Sequence, residues 1–338
     1  MRILVVGNFN EHKNGLVFYD ITRKLVNGFI RNGHHVYTVS DRDMARSSNP
    51  FGSKELGARA VNRRVREIAE NFRPDMVVLC HADTLSRDTV STIKAMASRP
   101  KIVMRCVDPL FEDKVVRNIR RFSDLSDAVF VTTAGEALRQ FAKPGTAVSF
   151  MPNPVDPSIE TYRAFENVGP AHDLFFAARA EKPHHRVEFC RDLQRRLPDV
   201  RFDVRGILGH PPVYGDAYYR ALDNCRMGLS LDRGAGELYA SDRMAQYGGN
   251  GLLLLVDQAS GFDRLFAPDE MVFYRDMDEL VAQIRRIKAD DAAARAIAQR
   301  GWAKMHAYFD CSRIARYIVD VAFRMPLSED YPWPTELY

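Results

Sequence analysis

Two doubly wound α/β domains, each a parallel sheet covered by helices, are predicted by three observations. Short apolar runs alternate with amphipathic stretches along almost the whole chain. The runs are apolar throughout rather than at every second residue, as in strands buried on both faces. The alternation lapses once, over the polar residues 157–172, and then restarts. With 338 residues the chain also exceeds the roughly 250–300 at which a single core stops growing.

The first half opens with a strand, Ile3 to Val6, that runs into the polar loop Gly7 to Gly15. Phe18, Ile21, Leu25 and Phe29, spaced by three and four, predict a helix that Asn32-Gly33 stops. Val36 to Val39 is a strand. Val61 to Phe72 is a helix with Val65, Ile68, Ala69 and Phe72 on one face and Arg63, Arg64 and Arg66 on another. Strands at Met76 to Cys80, Lys101 to Cys106, Ala128 to Thr132 and Ala147 to Phe150 alternate with helices at Thr89 to Met96, near Lys114 to Phe122, and from Glu136. Beyond the break come Leu174 to Ala178, helix Arg186 to Leu197, Phe202 to Val204, helix Ala217 to Cys225 and Met227 to Leu231. Helix Asp242 to Tyr247, strands Leu252 to Val256 and Met271 to Tyr274, and helices Met277 to Lys288, Asp291 to Tyr308 and Ser312 to Phe323 complete the order. The domains so read are 1–156 and 173–310, with 157–172 as linker and 311–338 as a closing helix and tail.

Composition excludes several classes. With 46% hydrophobic and 27% charged residues the chain is neither disordered nor collagen-like. A net charge of +4 is too small for a dedicated nucleic-acid binder without a clustered patch, so no nucleic-acid partner is expected. Cys80, Cys106, Cys190, Cys225 and Cys311 are scattered, without a CxxC pair, which predicts free thiols and a reducing compartment. Met1 to Phe9 leads straight into a strand pattern rather than a signal peptide, and the longest apolar stretch, Gly251 to Val256, is strand length. A cytoplasmic location is expected.

In doubly wound sheets ligands bind beyond the carboxyl ends of the strands, so residues just after strands are the candidates. Gly7 to Gly15 is neither GxGxxG nor a P-loop; its glycines permit close approach of a ligand and serve equally as turn residues. His81 follows a strand, where a neutral imidazole can take a proton from an attacking hydroxyl, and Asp83 could orient it or act as the base. A histidine bonded into a strand-end turn is the other reading. Asp108, before Pro109, stands in a comparable place and is also ordinary turn chemistry. Ser241 and Asp242 open a short helix whose first-turn amides favour phosphate, with Arg243 as a fixed cation. The alternative there is a capping Asp242 and a solvated arginine. Asp41-Arg-Asp43 and Asp276-Met-Asp278 look like metal-binding DxD strings; the second reads as a helix cap and the first lies in a loop. No metal is expected.

Four stretches carry a more specific likeness: Met151-Pro-Asn-Pro-Val-Asp156; Pro211-Pro-Val-Tyr-Gly-Asp-Ala-Tyr-Tyr219 with Met227-Gly-Leu-Ser-Leu-Asp-Arg233; Tyr239-Ala-Ser-Asp-Arg243 through Gly251; and Gly301-Trp-Ala-Lys-Met-His306 to Tyr317. In this order they resemble GT-B glycosyltransferases of the group related to the spore-maturation CgeB proteins. The resemblance implies two Rossmann-like domains facing across a cleft, and metal-independent transfer of a sugar from a nucleotide donor, UDP- or GDP-linked, with no other cofactor. The acceptor implied is a hydroxyl of a glycan, lipid-linked or cell-surface molecule. It also implies that the last helix crosses back onto the first domain, where the tail around Tyr331-Pro-Trp-Pro334 would fasten. On it, Arg243 and Arg186, with Arg179 and Lys182, contact the phosphates, and Val213 and Tyr214 meet the base. Asp242 opens the donor helix, and Gly7 and Asn8 join the donor set. Gln246 departs from the family's ribose-binding glutamate, and Val107 from a histidine that many retaining members carry. That second departure moves the acid/base assignment to His81, Asp83 and Asp108. The basic sets Arg63, Arg64, Arg66 and Arg117, Arg120, Arg121 could touch an anionic acceptor or the inner face of a membrane, or be simply solvated. A non-catalytic binding module and, below it, a sugar-nucleotide epimerase are the other functions considered.

Overall fold

The computed structural model describes residues 1–179 and 184–338. Contacts divide the chain into two units, Met1–Pro154 with Cys311–Tyr338, and Val155–Asp310. The first unit holds a parallel sheet of β1 (Arg2–Gly7), β2 (His35–Ser40), β3 (Met76–Cys80), β4 (Lys101–Cys106), β5 (Ala128–Val131) and β6 (Ala147–Phe150), in the order β2-β1-β3-β4-β5-β6. Its helices are α1 (Ile21–Arg31), α2 (Asp41–Ser47), α3 (Lys54–Phe72), α4 (Arg87–Lys94) and α5 (Asp113–Ser123). The second unit holds β7 (His172–Ala177), β8 (Phe202–Arg205), β9 (Cys225–Ser230), β10 (Leu253–Asp257) and β11 (Val272–Tyr274), again all parallel, in the order β11-β10-β9-β7-β8. Around it lie α6 (His185–Arg196), α7 (Gly215–Asp223), α8 (Asp242–Gly249), α9 (Met277–Ala289) and α10 (Asp291–Tyr308). The last helix, α11 (Cys311–Ala322), rejoins the first unit.

The continuous apolar runs are buried as their composition demands. Ile3 to Val6 and Met76 to Cys80 are at most 1% exposed, because helices cover both faces of the sheet. Asp20 caps α1 by accepting from the Thr22 amide at 2.8 Å. Farther along α1, Gly28 lets α11 come close: a Cβ there would lie 2.1 Å from the Cys311 carbonyl oxygen. The tail finishes this unit. Tyr331 and Trp333 pack on Tyr317 of α11 with ring centroids 4.8 and 5.6 Å away. Tyr338 and Val148 of β6 exchange backbone hydrogen bonds, so the tail lines the edge strand.

Several elements differ from the sequence reading. The Asp41-Arg-Asp43 loop is the first turn of α2, and its two carboxylates serve different neighbours. Asp41 accepts from the Thr84 hydroxyl at 2.8 Å, and Asp43 accepts from the Glu11 amide at 2.8 Å. Helix α3 starts seven residues earlier than its apolar face indicates, at a Ser53 cap. Glu136–Phe141 is 3-10 rather than α. The Asp276 string is a cap, its carboxylate accepting from the Glu279 amide at 2.8 Å. Residues read as linker pack on the second unit: Ala164 donates to the Asn250 carbonyl and its own carbonyl accepts from buried Arg226. All five cysteines are free and buried. No described helix is long and apolar enough to cross a membrane.

Candidate functional site

The carboxyl edge of the first sheet is built around a tight turn. After β3, His81 and Ala82 both take left-handed φ, 65° and 42°, and the Ala82 amide donates back to the Cys80 carbonyl at 2.9 Å. Two successive non-glycine residues in this region carry backbone strain. The turn aims the His81 ring at Asp108, at the end of β4, with Nδ1 3.6 Å from the carboxylate. Burial pushes the His81 pKa below its usual value; nearby Arg105 and Arg42 push the same way and Asp108 opposes them. A neutral imidazole near pH 7 results, as a general base requires.

Asp83 does not orient His81. It accepts from Arg42 Nε at 2.8 Å and lies 3.6 Å from Lys54 Nζ. Burial would raise its pKa, but the Arg42 hydrogen bond and the two cations hold it below the usual carboxylate range, a poor state for a base. Gly7 has a packing reason for being glycine: a Cβ would sit 2.8 Å from the Cys80 Cβ on the neighbouring strand. Asn8 Nδ2 donates to Asn10 at 2.9 Å, and the following loop is braced by Asp43, which lies 2.5 Å from His12 Nδ1. The sequence reading also missed Arg105. It is 2% exposed on β4, and its Nε and one amino nitrogen are buried without a hydrogen-bond partner.

The carboxyl edge of the second sheet has the opposite character, with guanidinium groups in surplus. Arg243, in the first turn of α8, donates to the Ala177 carbonyl at 2.9 Å and the Leu231 carbonyl at 3.1 Å, tying the helix to the ends of β7 and β9. It also donates to the Ser241 hydroxyl at 2.8 Å. Ser241 therefore does not cap the helix, and its amide is held instead by Asp232 at 3.0 Å. Burial works against the Arg243 charge, but the Tyr247 phenol and the Asp232 and Asp242 carboxylates raise its pKa above the ordinary value.

Arg186, 4% exposed in α6, donates to the Arg179 carbonyl at 3.0 Å. Burial, together with the fields of Arg243 and Arg233, brings its pKa down to about 10. A pKa lowered by other cations marks a place where negative charge would be stabilised. Among the described residues, the second amino nitrogen of each of these two guanidiniums makes no hydrogen bond.

Arg179 lies against Tyr214, donating to its hydroxyl at 2.7 Å with the guanidinium 5.2 Å from the ring centroid. Val213 is half-buried in the same loop. Lys182 lies outside the described residues. Asp242 is exposed at the helix start. Gln246 is 4% exposed and turned inward, accepting from the Tyr218 hydroxyl at 2.7 Å and donating to Asp242 at 3.1 Å. Its amide is thus used within the unit. A recess of about 290 Å3 at the same sheet edge is lined by His185, Asp232, Gly234 to Gly236, Asp257, Ala259 and Ser260. Asp232 was visible only as the start of a loop, although it positions both Ser241 and Arg243.

Residues 184–320 match the model of a family described as glycosyl transferase-like. No curated sequence matches the chain significantly. Among solved structures, the chain is similar to a sucrose-phosphate synthase from Thermosynechococcus elongatus, with a TM-score of 0.64 at 11% identity over 96% of this chain and 98% of that one. It is similar to HepE of Anabaena, solved in complex with UDP and glucose, with a TM-score of 0.57 at 13% identity over 96% and 100%. A DNA-modifying β-glucosyltransferase, solved with and without uridine diphosphoglucose, gives 0.53 at 12% identity over 96% and 100%.

Proposed function

We propose that the chain, a protein of the GT-B glycosyltransferase fold whose residues 184–320 form a glycosyl transferase-like domain, transfers a sugar from a nucleoside diphosphate sugar to an acceptor hydroxyl. The observation that carries this reading is the guanidinium surplus at the end of the second sheet: Arg186 and Arg243, with Arg179 beside them. Breaking the bond from the sugar's anomeric carbon to the diphosphate leaves negative charge on the leaving nucleotide. Fixed guanidiniums and the uncapped first-turn amides of α8 stabilise that charge as it develops. Cations of this kind supply what a divalent metal supplies elsewhere, so transfer is expected to persist in EDTA. Val213 and Tyr214 face the base. On the first unit, His81 takes the acceptor hydroxyl's proton at Nε2 while Asp108 holds the ring.

A UDP- or GDP-sugar is the donor class, UDP having the support of HepE's bound ligand. The likeness of the C-terminal motifs to the CgeB-related group favours a glycan, lipid-linked or other cell-surface acceptor. Assembly at the cytoplasmic face of the membrane completes the reading.

The test is a thermal-shift screen in EDTA against UDP, GDP, ADP, CMP and dTDP and their sugar conjugates. A ligand at 100 times its dissociation constant adds about 2.7 kcal/mol. One diphosphate standing out, with sugar appearing on an acceptor, supports the assignment. Tight donor binding without transfer to any acceptor would make the chain a binding module. No shift from any nucleotide would sink the donor site.

A further inference from the structure

The first unit holds a groove of about 750 Å3 that no step of the transfer reading uses. One wall is a single face of α3. Lys54, Ala58, Asn62 and Arg66 form one row at spacings of four, and Glu55, Arg59 and Arg63 the adjacent row. The other wall is the segment that follows His81, from Asp83 to the start of α4, with Arg121 reaching in from α5.

The groove's anions already have partners. Asp83 is held by Arg42 and Lys54, Asp88 faces Arg66 at 3.1 Å, and Glu55 accepts from the Ser53 hydroxyl at 2.8 Å. Arg121 is spent on backbone, donating to the carbonyls of Asp83 and Leu85. Arg59 and Arg63 are different. Among the described residues neither makes an ion pair or hydrogen bond, yet both line the groove one helical turn apart. Two guanidiniums so placed are a fork for an oxyanion. The concave shape, walled by two helices and a strand-end loop, fits a discrete molecule better than a flat surface. Asp83 ties the groove to the turn that carries His81, two residues before it.

We propose that this groove is an acceptor subsite in which Arg59 and Arg63 bind an oxyanion, phosphate ester or uronate carboxylate, carried by the acceptor sugar. The assignment of the ligand as acceptor rests on the transfer reading above; the anion site itself does not.

The experiment therefore begins with a readout that needs neither donor nor turnover. Phenylglyoxal modifies free arginines, and peptide mass spectrometry gives a separate rate for each. Glucose 6-phosphate is expected to slow the labelling of Arg59 and Arg63 several-fold, with glucose and matched sodium chloride without effect and exposed Arg99 unchanged. Glucuronate in place of glucose 6-phosphate decides between carboxylate and phosphate. Equal rates under all conditions would overturn the proposal. So would protection by inorganic phosphate as strong as by glucose 6-phosphate, which means an anion site without sugar recognition. Protection only by phosphatidylglycerol vesicles would replace the acceptor with a membrane surface.

In a transfer assay, Arg59→Gln/Arg63→Gln is expected to raise the KM of the anionic acceptor by about tenfold or more. Its kcat and its thermal shift with UDP should stay unchanged, and Arg99→Gln, at an exposed position outside the groove, should leave all three alone. If no transfer is found at all, the labelling result still decides the anion site.

Discussion

The two sheets are alike in direction and covering, yet they finish their strands in opposite ways. At the end of the first, Asp83 pairs with Arg42 and Lys54, Asp43 lies against His12, and Asp108 lies beside His81. What remains is a half-buried, neutral imidazole held by a strained turn, with buried Arg105 nearby. At the end of the second, cations crowd: Arg186 lies in the fields of Arg243 and Arg233, with Asp232 as the counter-charge. On the proposed function, one edge takes a proton and the other an anion. The same architecture would then host two chemistries, and the difference lies in which strand-end residues are paired and which are left in surplus.

Four experiments break or sharpen this contrast. The largest effect is expected from His81→Gln, which removes the base from the first edge and leaves the second intact. Transfer rate should fall by about 10²–10⁴-fold with the nucleotide dissociation constant unchanged; a rate near wild type would remove His81 from the chemistry. Next comes Arg186→Gln. Loss of a charged hydrogen-bond donor costs about 1.5–3 kcal/mol, and calorimetry should show UDP binding weakened accordingly while His81-dependent pH behaviour persists. Equal affinity would mean that the cation surplus has another purpose.

The third experiment separates how the two units are held. Gly28→Ala forces a methyl against the Cys311 carbonyl and should destabilise the first unit by about 1–3 kcal/mol in urea unfolding, with the second unit's nucleotide-induced shift retained. The smallest effect is on a pH profile. The base is active when neutral, so activity falls as pH drops through the His81 pKa, which burial sets below the usual 6.5. Asp108 raises that pKa, so Asp108→Asn should move the acid limb of kcat/KM to lower pH. Arg42 lowers it, so Arg42→Gln should move the limb up. Shifts of the opposite sign would show that another group titrates.

Most of the fold could be read from periodicity because burial on both sheet faces demands unbroken apolar runs, and Ile3 to Val6 or Leu253 to Val256 supply them. The failures share one cause. Helix α2 has an acidic, short first turn, and the amino half of α3, Lys-Glu-Leu-Gly-Ala-Arg-Ala, shows no clear apolar stripe. Tertiary contacts and the Ser53 cap decide both.

The site was legible in the same uneven way. Position after a strand picks out His81, Asp108, Arg186 and Arg243, whereas the pairing of charges is a matter of three dimensions. Asp83 stands two positions after His81, but the left-handed turn at His81 and Ala82 sends the two side chains to different partners. Asp108, far away in sequence, becomes the histidine's neighbour because β4 lies beside β3. Buried Arg105 and the organising role of Asp232 had no sequence signal beyond being charged residues at strand ends.

The way α11 and the tail close the first unit has a consequence for synthesis. Residues 1–154 emerge from the ribosome before the second unit, and the helix that Gly28 admits and the segment that borders β6 are made only after it. At roughly 5–20 residues per second, the intervening stretch to Tyr338 takes on the order of 10–40 s. Throughout that interval the seat of α11 on α1 and the open side of β6 have no cover. The second unit, continuous from Val155 to Asp310, can be complete before the first. The unit begun before the other is completed after it, and its open surfaces are exposed to misassociation while they wait.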